Sequence, residues 1–222
     1  MRGKLHTAVA LTAVASLATA AGGEEADADA GSIAPPPPAP LPPVDEVYPT
    51  IPDWRGRRVL HFGDSHVSRG LKAGLRRHVN AAGARYIPAT WVGSRSKSWV
   101  ASGRLRRLLD RRSPHIVIVT LGTNAIRNPR PRRMEGWMRA VVERIGARRC
   151  YWLGPPSLIE DRHGLNEVLD EATDPCRYFE TRALGFGPVP GGRYHLNREE
   201  GLRWADAVWR WMNGAPHPRP AD

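Results

Sequence analysis

The chain has 222 residues, 41% of them hydrophobic and 25% charged, which fits one globular domain with a sizeable core and excludes a fibrous or wholly disordered protein. Its 33 Lys and Arg against 22 Asp and Glu give a formal charge of +11, a field that attracts polyanions. The two cysteines have no histidines at ligand spacing, so a structural zinc site is not expected.

Residues 1–20 read as a secretory signal peptide. Arg2 and Lys4 precede an Ala-rich apolar run from Ala8 to Leu17, and Ala18-Thr19-Ala20 offers small residues for cleavage. The run is too short for a comfortable membrane span, and no cysteine stands near the cleavage point to accept a lipid. A secreted or periplasmic chain with no transmembrane segment after cleavage is the expectation.

Residues 21–53 follow as a disordered tether, acidic from Glu24 to Asp29 and then dense in proline from Pro35 to Pro52. Loss of Arg2 and Lys4 would leave 31 basic against 22 acidic residues, still strongly positive. For an exported chain that charge points to envelope polymers before nucleic acid, and no nucleic-acid partner is expected. In the oxidising compartment a Cys150–Cys176 disulfide is expected over two free buried thiols.

The folded domain is predicted over residues 54–213, with 214–222 a disordered tail. Val59 to Phe62 is an apolar strand that breaks at Gly63-Asp64-Ser65, and a helix with Leu71, Leu75 and Val79 on one face is predicted from Val67 to Val79. Ser65 would then leave a strand at its carboxyl end beside a helix start, where free N–H groups favour a developing anion. The plainer alternative is that Asp64 or Ser65 only caps the helix.

Ala84 to Val92 reads as a second strand interrupted by Pro88, followed by Gly93-Ser94-Arg95-Ser96 and one basic amphipathic helix ending near Arg112. His115 to Leu121 is the clearest strand, β-branched and continuous as in a strand covered on both faces, and it ends in Gly122-Thr123-Asn124. A helix through Met138, Val141 and Ile145 and a strand from Cys150 to Leu153 come next. A short helix near Leu165–Leu169, a short strand at Arg177–Thr181, a Gly- and Pro-rich loop from Gly185 to Gly192 and a helix over Arg198–Met212 complete the order. The arginine runs 104–112 and 127–139 are interleaved with apolar helical positions and read as solvated helix faces. Alternating strands and helices predict an α/β fold, a three-layer α/β/α sandwich of minimal size with a central parallel sheet. Ligands bind such sheets beyond the carboxyl ends of the strands, where Ser65, Gly93 and Asn124 all fall.

The order Gly63-Asp64-Ser65, Gly93, Gly122-Thr123-Asn124, His195 resembles the SGNH hydrolases, also called GDSL esterases, over about residues 57–212. The resemblance implies a flavodoxin-like sheet and a serine esterase that forms an acyl-enzyme on Ser65. In it His195 acts as base, and Ser65, Gly93 and Asn124 form the oxyanion hole. It implies no cofactor and no metal. The chemistry asks for the same residue types: a serine hydroxyl needs an adjacent base, and fixed donors at the developing oxyanion are commonly the largest catalytic contribution.

Two departures stand out. The family's aspartate three residues before the histidine is replaced by Gly192, so a Ser-His dyad is expected, with Glu199 and Asp206 as the nearby acids that would otherwise serve. Ala125 stands where the family often has aspartate.

His66, His61 and His78 read as structural residues, and Trp91, Trp99 and Trp137 as core before sugar platform. The expected substrate is an ester, with an acetylated envelope glycan such as peptidoglycan as the specific hypothesis. The rival readings are a glycan-binding relative without turnover, an O-acyltransferase acting on envelope glycans, and a basic binding module. Acyl chain, alcohol and oligomeric state leave no signature in the sequence.

Overall fold

The computed structural model describes residues 53–156, 158–187 and 193–218. The signal peptide and nearly all of the tether lie outside the described residues, as do Gly192 and the last residues of the tail.

Five strands, β1 (Arg58–Gly63), β2 (Arg85–Thr90), β3 (Ile116–Thr120), β4 (Arg149–Leu153) and β5 (Arg177–Phe179), pair in parallel in the order β2-β1-β3-β4-β5. Strand alternation sorts the core into two layers. Leu60, Phe62, Val117 and Val119 face one cluster, while Val59, Ile116 and Ile118 face the other. Pro88, which lacks a ladder N–H, is accommodated because β2 is an edge strand.

Helices α1 (Arg69–Ala81) and α6 (Arg198–Met212) cover the second face. The first is covered by α2 (Ser96–Ala101), α3 (Arg104–Arg112), α4 (Glu135–Ile145) and α5 (Leu165–Ala172). This is the expected three-layer sandwich. The single basic helix predicted before Arg112 is instead two, parted at Ser102-Gly103. Along α3 the leucines at 105 and 109 are buried while Arg106, Arg107, Arg111 and Arg112 stay exposed, a solvated face.

Helix α1 also begins later than its pattern predicts, at Arg69 and not Val67. Val67 is fully buried and fits the apolar helical period, but it belongs to the turn: its N–H bonds the Asp64 carbonyl at 3.2 Å. Ser65 therefore sits four residues ahead of the helix, and neither it nor Asp64 is the N-cap, a position held by Ser68.

Helices α1 and α6 touch backbone to backbone. A Cβ on Gly70 would lie 2.1 Å from the Arg198 carbonyl oxygen, and one on Gly201 would lie 2.9 Å from the Gly70 Cα. Only glycine permits this approach, which brings the start of α6 against the turn after β1. Cys150 in β4 and Cys176 just ahead of β5 form a disulfide. Among the described residues no helix is long and apolar enough to cross a membrane, and no cluster of His, Cys, Asp and Glu could hold a metal ion.

Candidate active site

The turn after β1 is fixed bond by bond. The Asp64 N–H continues the β1–β3 ladder to the Thr120 carbonyl at 3.0 Å, and Asp64 Oδ1 accepts the His66 N–H at 2.9 Å. The Ser68 hydroxyl donates to the Ser65 carbonyl. Asp64 is fully buried and among the described residues its Oδ2 has no hydrogen-bond partner, so burial pushes its carboxyl up to about 7 against the weaker opposing effect of the His66 N–H. At the head of α1, Arg69 has a φ of +44°, a backbone conformation that residues with side chains seldom adopt.

His195 comes from the other end of the chain, two residues before the Asn197 cap of α6. Asn197 Oδ1 accepts the Glu200 N–H at 2.9 Å, and Glu200 returns a bond to the Asn197 N–H at 2.8 Å, a reciprocal capping box. Arg193 braces the same Glu200 at 2.6 Å. With the helix start held in this way, His195 Nε2 lies 2.7 Å from Ser65 Oγ. The hydroxyl donates this bond when the imidazole carries its proton on Nδ1, the tautomer in which Nε2 can accept a proton.

Among the described residues no carboxylate bonds His195. Asp206 is engaged by Arg77 at 2.9 Å and His78 at 2.6 Å, and Glu199 makes no bond to the imidazole. What lies against the imidazole is His66, with ring centroids 5.3 Å apart at 38°. His66 does not stand in the helix as the sequence suggested; it is in the preceding turn, buried, with Trp204 edge-on at 6.0 Å. Burial, then the nearness of His195, hold its imidazole down at about 3, offset in part by a hydrogen bond to the Tyr194 backbone. It is neutral at ordinary pH. The cleft here is narrow, about 10 Å³, between Ser65, Arg69, His195 and Asn197 on its rim and His66 and Trp204 behind.

The two other candidate donors flank β1. Beyond β2, the Trp91 N–H bonds the Gly63 carbonyl at 2.9 Å, and Gly93 follows in the left-handed region at φ +74°. Beyond β3, Asn124 stands in a single 3₁₀ turn, Thr123–Ala125. Asn124 Nδ2 donates to the Ser94 carbonyl at 3.1 Å, and the Trp99 indole N–H anchors the Ser94 hydroxyl at 2.9 Å. Since β1 lies between β2 and β3, that bond ties the two flanking segments together at the carboxyl end of the strand carrying Ser65. One amide hydrogen of Asn124 is used in the tie, leaving the other for a ligand.

His61, His78 and Trp99 have structural partners. His61 is fully buried between Tyr86 at 2.5 Å and Thr120 at 2.8 Å, and His78 stacks on Trp209 at 5.4 Å. Trp99 is fully buried, whereas Trp137 is half-buried and lines a cavity beside Asn124. Neither the His66 contact nor that cavity was legible in the sequence. Each joins segments far apart in the chain, and no spacing rule connects them.

No protein-family model and no curated protein matches the chain in sequence. Comparison with solved structures does give matches. A catalytic mutant of the acetylxylan esterase Axe2 from Geobacillus stearothermophilus aligns over 72% of this chain and 96% of its own, with a TM-score of 0.60 and 13% identity. TesA aligns over 70% and 98%, with a TM-score of 0.59 and 22% identity. The psychrotrophic esterase EstA from Pseudoalteromonas sp., inhibited by monoethylphosphonate, aligns over 70% and 96%, with a TM-score of 0.53 and 16% identity. At such identities the likeness concerns the backbone: the chain shares the three-layer α/β/α fold of these solved structures.

Proposed function

We propose that this protein is an exported serine esterase that hydrolyses carboxylic esters through an acyl-enzyme on Ser65. The observation that carries the reading is the 2.7 Å approach of Ser65 Oγ to His195 Nε2 at the carboxyl edge of a parallel sheet. Ser65 Oγ attacks the ester carbonyl carbon as its proton passes to His195 Nε2. The oxyanion forms against the N–H groups of Ser65 and Gly93 and the free amide hydrogen of Asn124, where one fixed donor contributes roughly 10²- to 10³-fold. The tetrahedral adduct expels the alcohol, which takes the proton from His195. Water, deprotonated by the same imidazole, then releases the acid and restores the serine.

Axe2 structures described as catalytic mutants carry substitutions at a serine, at a histidine and at an aspartate three residues before that histidine. This chain has Gly192 at the corresponding spacing. Its imidazole is supported by the ring of His66 and by the capped start of α6, which favours a Ser-His dyad. The missing aspartate also supports the second reading, a glycan-binding relative with little turnover. The signal-like leader, the disulfide and the acetylxylan esterase neighbours support an acetylated envelope glycan as the substrate.

A fluorophosphonate probe tests the chemistry. Labelling of the full chain at Ser65, lost in Ser65→Ala and strongly slowed in His195→Ala, is the expected result. An unlabelled wild-type serine would reject the esterase in favour of the binding protein.

A further inference from the structure

Beside Asn124 opens a cavity of about 200 Å³. Its apolar side is made by Trp137 and Met138, and its rim carries three cations, Arg95, Lys97 and Arg133. Among the described residues no carboxylate lines it. Among the described residues none of the three cations pairs with an acid, although the next arginines along the chain do: Arg132 bonds Glu135 and Glu171, and Arg139 reaches Glu135. Lys97 Nζ lies 5.8 Å from the centre of the Trp137 ring.

Three uncompensated cations around one concavity repel each other and concentrate negative ligands there. Arginine forks match a carboxylate in a bidentate geometry, and a half-buried indole offers a flat apolar face of the kind that suits the C–H face of a sugar ring. The shared wall is Asn124, the oxyanion donor of the proposed reaction. An ester held at Ser65 would thus extend its alcohol portion past Asn124 toward these groups.

We propose that this cavity binds the carboxylate-bearing ring of an acidic sugar, so that the substrate is an O-acyl ester of a uronate-containing glycan. The proposal rests on the esterase reading for the position of the ester, but the cavity's own affinity can be measured without turnover.

The binding experiment uses full-length Ser65→Ala protein and isothermal titration with trigalacturonate, xylotriose and glucose 6-phosphate. Trigalacturonate is expected to bind at least about tenfold more tightly than xylotriose and more tightly than the phosphate. It should lose about tenfold in Arg133→Gln, the scale of one charge-assisted hydrogen bond, and be unchanged in Arg106→Gln, an exposed arginine of α3 away from the cavity. Equal binding of trigalacturonate and xylotriose, preference for the phosphate, or equal losses in both arginine variants would overturn the proposal. Turnover separates it from the esterase reading. Good hydrolysis of p-nitrophenyl acetate with no preference for O-acetylated oligogalacturonate over acetylated xylo-oligosaccharide rejects the cavity's role and leaves the esterase. Arg133-dependent binding of trigalacturonate by a protein whose serine does not label leaves the cavity and rejects the esterase.

Discussion

At the scale of single residues, three buried titratable groups near the site set opposing pH dependences. His61 and His66 are both held down at about 3 by burial, so below about pH 6.5 the unfolded chain takes up two protons that the folded protein refuses. Stability from this pair is present above pH 6.5 and drains away as pH falls. Asp64 acts in the other direction: its carboxyl is pushed up to about 7, so between about pH 4 and 7 the folded protein holds a proton that the unfolded chain has released. Its contribution is present at low pH and is lost as pH rises through 7. From pH 6.5 down to 4 two histidines work against one carboxylate, and net acid destabilisation results. Asp64→Asn keeps an oxygen for the His66 N–H and removes the opposing titration. Its melting temperature should therefore fall more steeply than that of the wild type between pH 6.5 and 4, and should exceed the wild type's at pH 8. A shallower acid limb in the variant, measured by circular dichroism, would contradict the assignment of a buried protonated Asp64.

At the scale of elements, the Ser65–His195 approach depends on how closely α6 lies on α1. His195 stands three residues before the first residue of α6, and Ser65 four before the first of α1, so the two functional groups project from the same end of one helix pair. Gly70 and Gly201 set the spacing of that pair. Gly70→Ala would place its methyl 2.1 Å from the Arg198 carbonyl oxygen, and the helices must part or tilt to admit it. A loss of about 1–3 kcal/mol in urea denaturation is expected from such overpacking, together with a fall in kcat on p-nitrophenyl acetate larger than the fall in folded fraction. Full activity in the folded variant would show that the helix spacing does not set the serine–histidine distance. At this junction local patterns in the chain cease to specify the structure. The order of the strands in the sheet is not local and has no signature in the sequence, but the places of the five strands along the chain and the end of α6 at Met212 follow from period and punctuation, because each is a local pattern. The start of α1 did not, since the buried Val67 fits the helical period while bonding as a turn residue. The double helix before Arg112 was hidden by continuous amphipathicity across Ser102-Gly103. Gly70 and Gly201, 131 positions apart in the chain, give no local sign that they meet.

At the scale of the whole molecule, the strand order 2-1-3-4-5 puts the candidate site off centre. Ser65, Gly93 and Asn124 follow β1, β2 and β3, while β5, only three residues long, closes the far edge. The cysteine pair was expected from compartment alone; the fold supplies the structural reason for it. Cys150 lies in β4, and Cys176 immediately precedes β5, so the bond ties the short edge strand to the strand it pairs with across the 26-residue separation that contains α5. A crosslink of this span restricts the unfolded chain and contributes about 3 kcal/mol. The Cys150→Ala, Cys176→Ala double variant should therefore melt roughly 10 °C lower, given the usual dependence of Tm on stability at this size. Because β3 stands between the crosslinked β4 and β1, kcat on p-nitrophenyl acetate at 25 °C should stay within about twofold of the wild type's, well under the 1.4 kcal/mol that a tenfold loss represents. A large loss of turnover in a variant still folded at that temperature would mean that the β5 edge reaches the serine, and the division between a stabilising edge and a catalytic edge of this sheet would have to be abandoned.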